Sequence, residues 1–271
     1  MKSDFVKRLL SGMVITAAAV LIFALSFIPY FLPACISAMS VVCTFELLRA
    51  VKQHRPVFVI VLGIMGGIIQ FMPFAHYLYL CIALLAAAEA GFMLMILKTG
   101  TFRITKAVHV MPLCILFAVF ARSATEIRGL GHGLFLLILT VCVTELNDVF
   151  AYLTGRRLGK HKLAPKVSPK KTIEGSAGGL LLSAASGILI TAVYCAAGGF
   201  SANWLPLCCG VLMLALQGQF GDLSLSAVKR AAGLDDFGKL IPGHGGMLDR
   251  LDSLIFTLPA AYILFVSNAV F

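Results

Sequence analysis

The sequence predicts an all-α polytopic membrane protein with about nine transmembrane helices and an active site that faces the cytoplasm. Of its 271 residues, 60% are hydrophobic and only 13% are charged, and the mean hydropathy is +0.97. A soluble domain of this length would need far more polar surface to stay in solution. Apolar runs close to the roughly 20 residues that a helix needs to cross the hydrocarbon recur along the whole chain.

The apolar runs give nine predicted spans, at 9–32, 34–50, 57–74, 76–97, 107–122, 131–153, 176–200, 203–223 and 251–271. The first run has no small-residue cleavage pattern after a short apolar core, so we expect a retained helix and not a signal peptide. Pro33 predicts a break that turns the first two spans into a tight hairpin. We divide the chain into N-terminal transmembrane helices at 1–130 and a catalytic transmembrane half at 131–271.

The distribution of basic residues predicts the orientation of these spans. With the N-terminus in the cytoplasm, 20 of the 22 Lys and Arg residues lie on the cytoplasmic side, and only Arg122 and Arg128 lie outside. Topology and anionic lipid therefore account for part of the net charge of +10, and no nucleic-acid partner is predicted. We expect a location in the inner (plasma) membrane. The oligomeric state is left open, with a homodimer as one option.

Several carboxylates lie within or at the ends of the predicted spans. An Asp at a span centre costs about 2.5–3.5 kcal/mol on insertion scales, so each needs a partner or a polar cavity. Glu46 and Glu89 remain unassigned. Others fall at cytoplasmic helix ends, where convergence would make them repel one another unless a hard divalent cation bound there. We predict Asp222 and Asp249 as the leading metal ligands, with Asp148 and Asp252 close by.

Two cytoplasmic segments carry features suited to phosphate. Residues 154–175, TGRRLGKHKLAPKVSPKKTIEG, form a basic loop punctuated by glycine and proline, which suits phosphate binding through N–H groups and point charges. The alternative is ordinary positive-inside composition. Residues 243–246, GHGG, leave the backbone open to a ligand and precede a helix N-terminus. His244 within them is either structural or catalytic. Together, these features predict an enzyme that joins a phosphorylated nucleotide to a phosphorylated lipid.

Residues 226–252, SAVKRAAGLDDFGKLIPGHGGMLDRLD, resemble the signature of the phosphatidate cytidylyltransferase (CDP-diacylglycerol synthase) family. Residues 147–175 and GQFGDLSLS at 218–226 resemble two further elements of that family. The resemblance covers about 146–253, whereas the first five spans match only as generic membrane helices. One signature position departs from the pattern, because Asp235 stands where the family has Lys.

The resemblance implies the reaction of CTP with phosphatidic acid to give CDP-diacylglycerol and pyrophosphate, with Mg²⁺ and K⁺ as a candidate second ion. CTP, phosphatidic acid and membrane lipid are the implied partners. The predicted catalytic residues are Asp222, Asp249, Lys229, Arg230 and His244. The predicted substrate-binding residues are Ser168, Lys170, Lys171, Ser226, Gly245, Gly246 and Arg250.

Two alternatives remain open at this point. Asp235 motivates a paralogue that passes CMP to a different membrane phosphate. Intramembrane acids such as Glu46, Glu89 and Asp148 motivate an ion-coupled transporter or antiporter. Against transport, the charged residues concentrate at one membrane face, whereas a carrier needs its site near the midplane.

Overall fold

The computed structural model describes residues 2–28, 30–50, 69, 76–84, 86–87, 110–241, 245–267 and 270. Within these ranges the chain forms helices and one short antiparallel hairpin. The helices are α1 Lys2–Ala24, α2 Phe31–Ala50, α3 Val110–Gly129, α4 Gly133–Leu158, α5 Ile173–Gly198, α6 Trp204–Ala232, α7 Leu248–Leu251 and α8 Leu254–Val266. The hairpin strands are β1 Lys162–Ala164 and β2 Ser168–Thr172, and residues 76–84 are also helical.

Four of the described helices, α2, α4, α5 and α6, are long and apolar enough to cross a bilayer. Shorter apolar stretches lie at Leu10–Ala24 within α1 and at Leu254–Val266, which is α8. These helices agree with the predicted all-α, multi-pass membrane protein. The number of nine spans stays a prediction, because the span at 57–74 (Ile69 excepted) and much of that at 76–97 lie outside the described residues.

Several predicted span boundaries differ from the observed helices. The break predicted at Pro33 comes earlier, since α1 ends at Ala24 and α2 begins at Phe31. Pro33 lies in the first turn of α2, where its missing N–H would have had no partner within the helix. The predicted last span at 251–271 is interrupted near its start, because Asp252 and Ser253 separate α7 from α8. There the Asp252 carboxylate accepts a hydrogen bond from the N–H of Ser253, at 2.8 Å.

The span predicted at 107–122 also ends too early, because α3 continues to Gly129. Arg122 is therefore a buried helical residue and not part of an outside connection. Its guanidinium lies 3.2 Å from the Glu126 carboxylate and 4.2 Å from the Tyr77 ring centre, and it donates to the carbonyl of Ile69. The predicted span ends at this arginine because hydropathy falls there. The helix continues because these contacts within the protein satisfy the charge of Arg122.

Glycines allow α4 and α5 to pack with their backbones close together. A Cβ on Gly175 would lie 2.7 Å from the carbonyl oxygen of Ala151, and one on Gly179 would lie 2.8 Å from that of Asn147. Small residues permit this close approach between membrane helices. The pairing holds the β1–β2 hairpin, which connects the two helices, directly beside the C-terminal part of α4.

A buried amide joins α6 to the other two helices. Gln219 donates to the side chain of Asn147 on α4 and to the carbonyl of Ser176 on α5, both at 2.9 Å. Asn147 in turn donates to the carbonyl of Ala215, also at 2.9 Å. Because buried polar groups need partners, this network fixes how the three helices meet. They meet next to the residues that the sequence assigns to substrate binding.

Candidate active site

A cavity of about 500 Å³ lies between the hairpin and helices α4, α5 and α6. Its wall combines the basic hairpin with acidic and polar positions of three helices that are far apart in sequence. The polar and charged lining residues are Asp148, Tyr152, Arg156, Lys162, Ser168, Lys170, Lys171, Thr172, Ser176, Gln219 and Asp222. The fold thus brings four predicted site residues of the hairpin and α6, together with Asp148, to one open cavity.

The hairpin is positioned by its own register and by the start of α5. Lys162 pairs with Thr172 and Ala164 pairs with Ser168, in antiparallel order. The Thr172 hydroxyl then caps α5 by accepting from the N–H of Gly175 at 3.1 Å. This cap fixes the end of β2 directly after the two lysines at 170 and 171. The predicted phosphate-binding loop is therefore an ordered hairpin anchored to a helix.

Lys171 and Asp222 form an ion pair across the cavity wall. Their side chains are 25% and 20% exposed, so the pair is partly screened and open to the cavity. Ser226, one turn further along α6, donates to the other Asp222 oxygen at 3.3 Å. The structure thus joins a lysine predicted to bind phosphate to the aspartate predicted as a metal ligand.

Asp249 lies in a second, more enclosed cluster with a side chain only 2% exposed. One carboxylate oxygen accepts from the Lys229 ammonium at 3.0 Å. The other oxygen accepts from the N–H groups of Phe237 and Gly246, both at 2.9 Å. We call residues 233–248, which run from the end of α6 to the first residue of α7, the signature loop. The Asp249 carboxylate therefore ties α6 to this loop at Phe237 and at Gly246.

Gly245 is required by the backbone of this loop. Its φ is +87°, a conformation that side chains other than glycine rarely adopt. A Cβ there would also lie 2.9 Å from an Asp249 oxygen. The space beside Gly245 and Gly246 is filled by the carboxylates of Asp249 and Glu46, so ligand binding at GHGG stays a prediction. His244 lies outside the described residues. The role predicted for His244 stays a prediction.

Asp252 lies where α7 and α8 meet α6. Its carbonyl oxygen packs on α6, where a Cβ on Gly221 would lie 2.7 Å from it. Its carboxylate accepts from the N–H of Ser253 at 2.8 Å. The backbone thus places Asp252 beside α6, the helix that carries Asp222 and Lys229.

The predicted magnesium ligands would hold the ion only together with substrate phosphate. Within the described residues, no three acidic, histidine or cysteine side chains are arranged to hold a metal by themselves. Mg²⁺ commonly binds through one or two carboxylates and the phosphates of its substrate, and keeps several waters. Asp222, with Asp148 and Asp252 nearby, supplies oxygen donors of this kind. Metal ligation by these residues and by Asp249 remains a prediction.

The remaining predicted residues lie at the edges of the site. Arg230 turns towards Asp235, with its guanidinium 2.6 Å from the carboxylate, and also donates to the carbonyl of Leu234 at 3.1 Å. Lys170 lines the cavity from an exposed position. Arg250 is exposed. The departure from the family pattern therefore contacts a neighbouring signature arginine directly.

Sequence reasoning missed two groups that shape the site. Gln219 organises the three helices around the cavity, but a glutamine in an apolar run carries no distinctive pattern. Glu46 accepts from the backbone of Met247 and Leu248, more than 200 residues away. Its position as an acid within an apolar run marked it as unusual, but local spacing cannot identify a partner so distant in the chain.

Comparison with known proteins relates the chain to the cytidylyltransferases. Residues 6–268 match the model of the cytidylyltransferase family. The phosphatidate cytidylyltransferase of Staphylococcus haemolyticus (strain JCSC1435) is 42% identical over 136 residues, which is 50% of this chain and 51% of its own. The phosphatidate cytidylyltransferase of Staphylococcus aureus (strain COL) is 43% identical over 140 residues, which is 51% of this chain and 52% of its own. The uncharacterised protein YnbB of Escherichia coli (strain K12) is 41% identical over 138 residues, covering 51% of this chain and 44% of its own. The chain thus spans about half the length of the curated relatives it matches.

Proposed function

The chain belongs to the cytidylyltransferase family, and we propose that it transfers CMP from CTP to phosphatidic acid, giving CDP-diacylglycerol and pyrophosphate. One observation carries the proposal. The basic hairpin and the Asp222 carboxylate face a single cavity next to apolar helices, which suits a nucleotide triphosphate and a lipid phosphate meeting at a membrane surface. The relatives named phosphatidate cytidylyltransferase support this choice of substrates.

The proposed reaction makes modest demands on acid–base chemistry. An oxygen of the lipid phosphate, already anionic, attacks the α-phosphorus of CTP, and the bond to the bridging oxygen of the leaving pyrophosphate breaks. The protein must hold two mutually repelling anions in line and neutralise the charge that develops. Lys170 and Lys171 of the hairpin, with Lys229 and Arg230 of α6, are the cations proposed for this role. Ser168 and Ser226 supply hydroxyl donors.

Asp222 is the residue we propose to hold Mg²⁺, together with Asp148, Asp249 or Asp252. When bound, the ion would neutralise phosphate charge and favour departure of pyrophosphate. The ion pair of Asp222 with Lys171 is accessible from the cavity, so a cation entering with the nucleotide can reach the carboxylate. K⁺ remains a proposed second ion.

We further propose that the protein lies in the inner membrane with its N-terminus and catalytic residues on the cytoplasmic side. The concentration of Lys and Arg in predicted cytoplasmic segments supports this orientation. A cytoplasmic site would meet CTP from solution and its acceptor from the lipid leaflet. A homodimer is the oligomeric state that we propose.

A second candidate function keeps the chemistry and changes the acceptor. Its basis is Asp235, whose carboxylate pairs with Arg230 at 2.6 Å and so draws that arginine towards the exposed loop. In the family pattern a Lys at this position would leave the arginine free for phosphate. The family match does not favour the transporter alternative.

Asp235→Lys separates the two acceptors. If the departure is neutral drift, which we favour, the unmodified protein makes CDP-diacylglycerol readily and the variant changes its rate little. If the acceptor differs, activity with phosphatidic acid is poor and the variant raises it. A lost charge-assisted contact is worth roughly 1.5–3 kcal/mol, or about ten- to a hundredfold in rate. Product formation measured with purified protein decides between them.

The reaction itself is tested with purified protein in detergent micelles that contain phosphatidic acid. We expect Mg²⁺-dependent release of pyrophosphate from CTP, with an equal amount of CDP-diacylglycerol. Transport would require a sealed vesicle, whereas this reaction does not. Samples that lack the lipid, or that contain ATP in place of CTP, serve as controls. Binding of CTP without any CDP-lipid product would refute phosphatidic acid as the acceptor.

A further inference from the structure

Glu46 belongs to α2, far from the motif segments in sequence, yet it contacts the signature loop directly. Its side chain is buried, and the residue is only 7% exposed. One carboxylate oxygen accepts from the N–H of Met247 at 3.1 Å, and the other accepts from the N–H of Leu248 at 2.8 Å. Hydrogen bonds to an ionised acceptor are stronger than neutral ones, and burial strengthens them further. This carboxylate therefore holds two successive amides of the loop.

Two glycines of the signature leave the space that Glu46 occupies. A Cβ on Gly246 would lie 2.5 Å from both carboxylate oxygens, and a Cβ on Gly238 would also collide with one of them. Side chains at these positions would push the carboxylate away from the amides it binds. The glycines and Glu46 thus form one complementary arrangement, although α2 is not part of the motif.

The contact continues from Glu46 to the aspartates of the site. The N–H of Gly246 donates to Asp249, and the next two N–H groups along the chain donate to Glu46. Three consecutive amides are therefore fixed by two carboxylates from different parts of the chain. Asp249 and Asp252 follow within the next turns, so their positions depend on where this backbone is held.

We propose that Glu46 is a positioning residue that fixes the segment 246–252, and with it Asp249 and Asp252, relative to Asp222 and Lys229 on α6. Its role in the reaction rests on the proposed cytidylyltransferase function. Within the described residues, the hydrogen bonds of Glu46 come from the backbone of Met247 and Leu248. Its loss is therefore expected to affect the alignment of the charged groups more than the affinity for nucleotide. A misplacement of about 1 Å can cost about a hundredfold in rate.

The test compares Glu46→Gln with Glu126→Gln in the full chain. Glutamine keeps the length of the side chain but places an NH₂ group against one of the loop N–H groups. Glu126 is a matched control, because it is a partly buried carboxylate on another helix that pairs with Arg122 at 3.2 Å. We expect Glu46→Gln to lower kcat about a hundredfold while KM for CTP changes less than about threefold. Glu126→Gln is expected to retain the kcat of the unmodified protein.

Limited trypsin digestion gives a readout that does not depend on activity. Lys239 lies exposed in the signature loop, one residue after Gly238. Cleavage after Lys239 is expected to be faster in Glu46→Gln than in Glu126→Gln or the unmodified chain, because the loop has lost its attachment. Unchanged cleavage together with unchanged kcat would overturn the proposal. Equal loss of activity in both variants would also overturn it, since that indicates general destabilisation.

The two proposals fail in different ways. If the unmodified protein forms no CDP-diacylglycerol but Glu46→Gln still accelerates cleavage after Lys239, the positioning contact is supported and the proposed reaction is refuted. If the unmodified protein is active and Glu46→Gln behaves like it in kcat and in cleavage, the reaction is supported and the positioning role is refuted.

Discussion

Replacing Asp249 with Asn tests the enclosed cluster most directly. The carboxylate accepts from Lys229 through one oxygen and from two backbone N–H groups through the other. An Asn side chain offers one carbonyl oxygen and one NH₂ group. In either orientation the NH₂ group faces a donor, which is the Lys229 ammonium or the pair of backbone amides. At least one of these contacts is lost and replaced by repulsion.

The size of the effect follows from burial. The Lys229 side chain is 11% exposed and that of Asp249 is 2% exposed, so water cannot replace the lost partner. Removing one member of a buried ion pair typically costs about 3–5 kcal/mol. A change of 1 kcal/mol shifts Tm by about 2–4 °C for a domain of 150–250 residues, which gives an expected decrease of about 6–20 °C. Asp235→Asn is the control, because its pair with Arg230 is exposed and screened, and such pairs contribute little.

Thermal unfolding in detergent, followed with a thiol-reactive fluorophore, measures this difference through the buried cysteines Cys43, Cys81 and Cys195. Lys229→Met combined with Asp249→Asn removes both charges. If the ion pair is the cause, the double variant recovers part of the Tm lost in Asp249→Asn, because no unpaired ammonium remains. A Tm for Asp249→Asn within about 2 °C of the unmodified protein would refute the reasoning.

The other predictions concern the cavity and the loop. Asp222→Asn should abolish pyrophosphate release with little change in Tm. Chelation of Mg²⁺ should abolish pyrophosphate release in the unmodified protein. Near-normal turnover of the variant would refute the assignment of Asp222 as a metal ligand. Gly245→Ala should lower both kcat and Tm, because φ is +87° and the added Cβ meets Asp249, whereas Gly233→Ala at φ +72° meets no atom within 4 Å and should lower Tm alone. Alanine should raise KM for CTP or lipid, lower kcat, or both, at each of the four proposed cations, Lys170, Lys171, Lys229 and Arg230. Unchanged kinetic constants in all four variants would indicate that these residues serve only the membrane topology.

The sequence predicts well those features that are encoded locally. Apolar runs predicted α4, α5 and α6, because helix length and hydropathy depend on neighbouring residues. The basic punctuated loop and the aspartate of α6 were predicted as site residues, and the structure brings Lys171 and Asp222 into contact. The extension of α3 beyond Arg122 was missed, since the Tyr77 ring and the Ile69 carbonyl that contact this arginine are brought near only by the fold.

Features that join distant segments were not accessible in the same way. Glu46 and the loop amides are about 200 residues apart, so no periodicity links them. The pairing of Lys229 with Asp249 spans a loop of irregular backbone, and helical spacing cannot anticipate it. The sequence grouped Asp222 and Asp249 as equivalent acids at helix ends. Their surroundings differ, and only the fold reveals the difference.

Because of that difference, removal of the carboxylate is expected to affect activity and stability differently in the two clusters. At Asp222, Lys171 occupies a partly exposed position on the cavity wall, so a ligand can displace the ammonium with little disturbance of the fold. At Asp249, one oxygen is committed to two loop amides, and only the oxygen facing Lys229 could exchange its partner for a cation. The sequence predicts that Asn variants of both residues still fold. We now expect Asp222→Asn to lose activity alone and Asp249→Asn to lose activity and stability together, so only the first variant isolates the chemistry from the architecture.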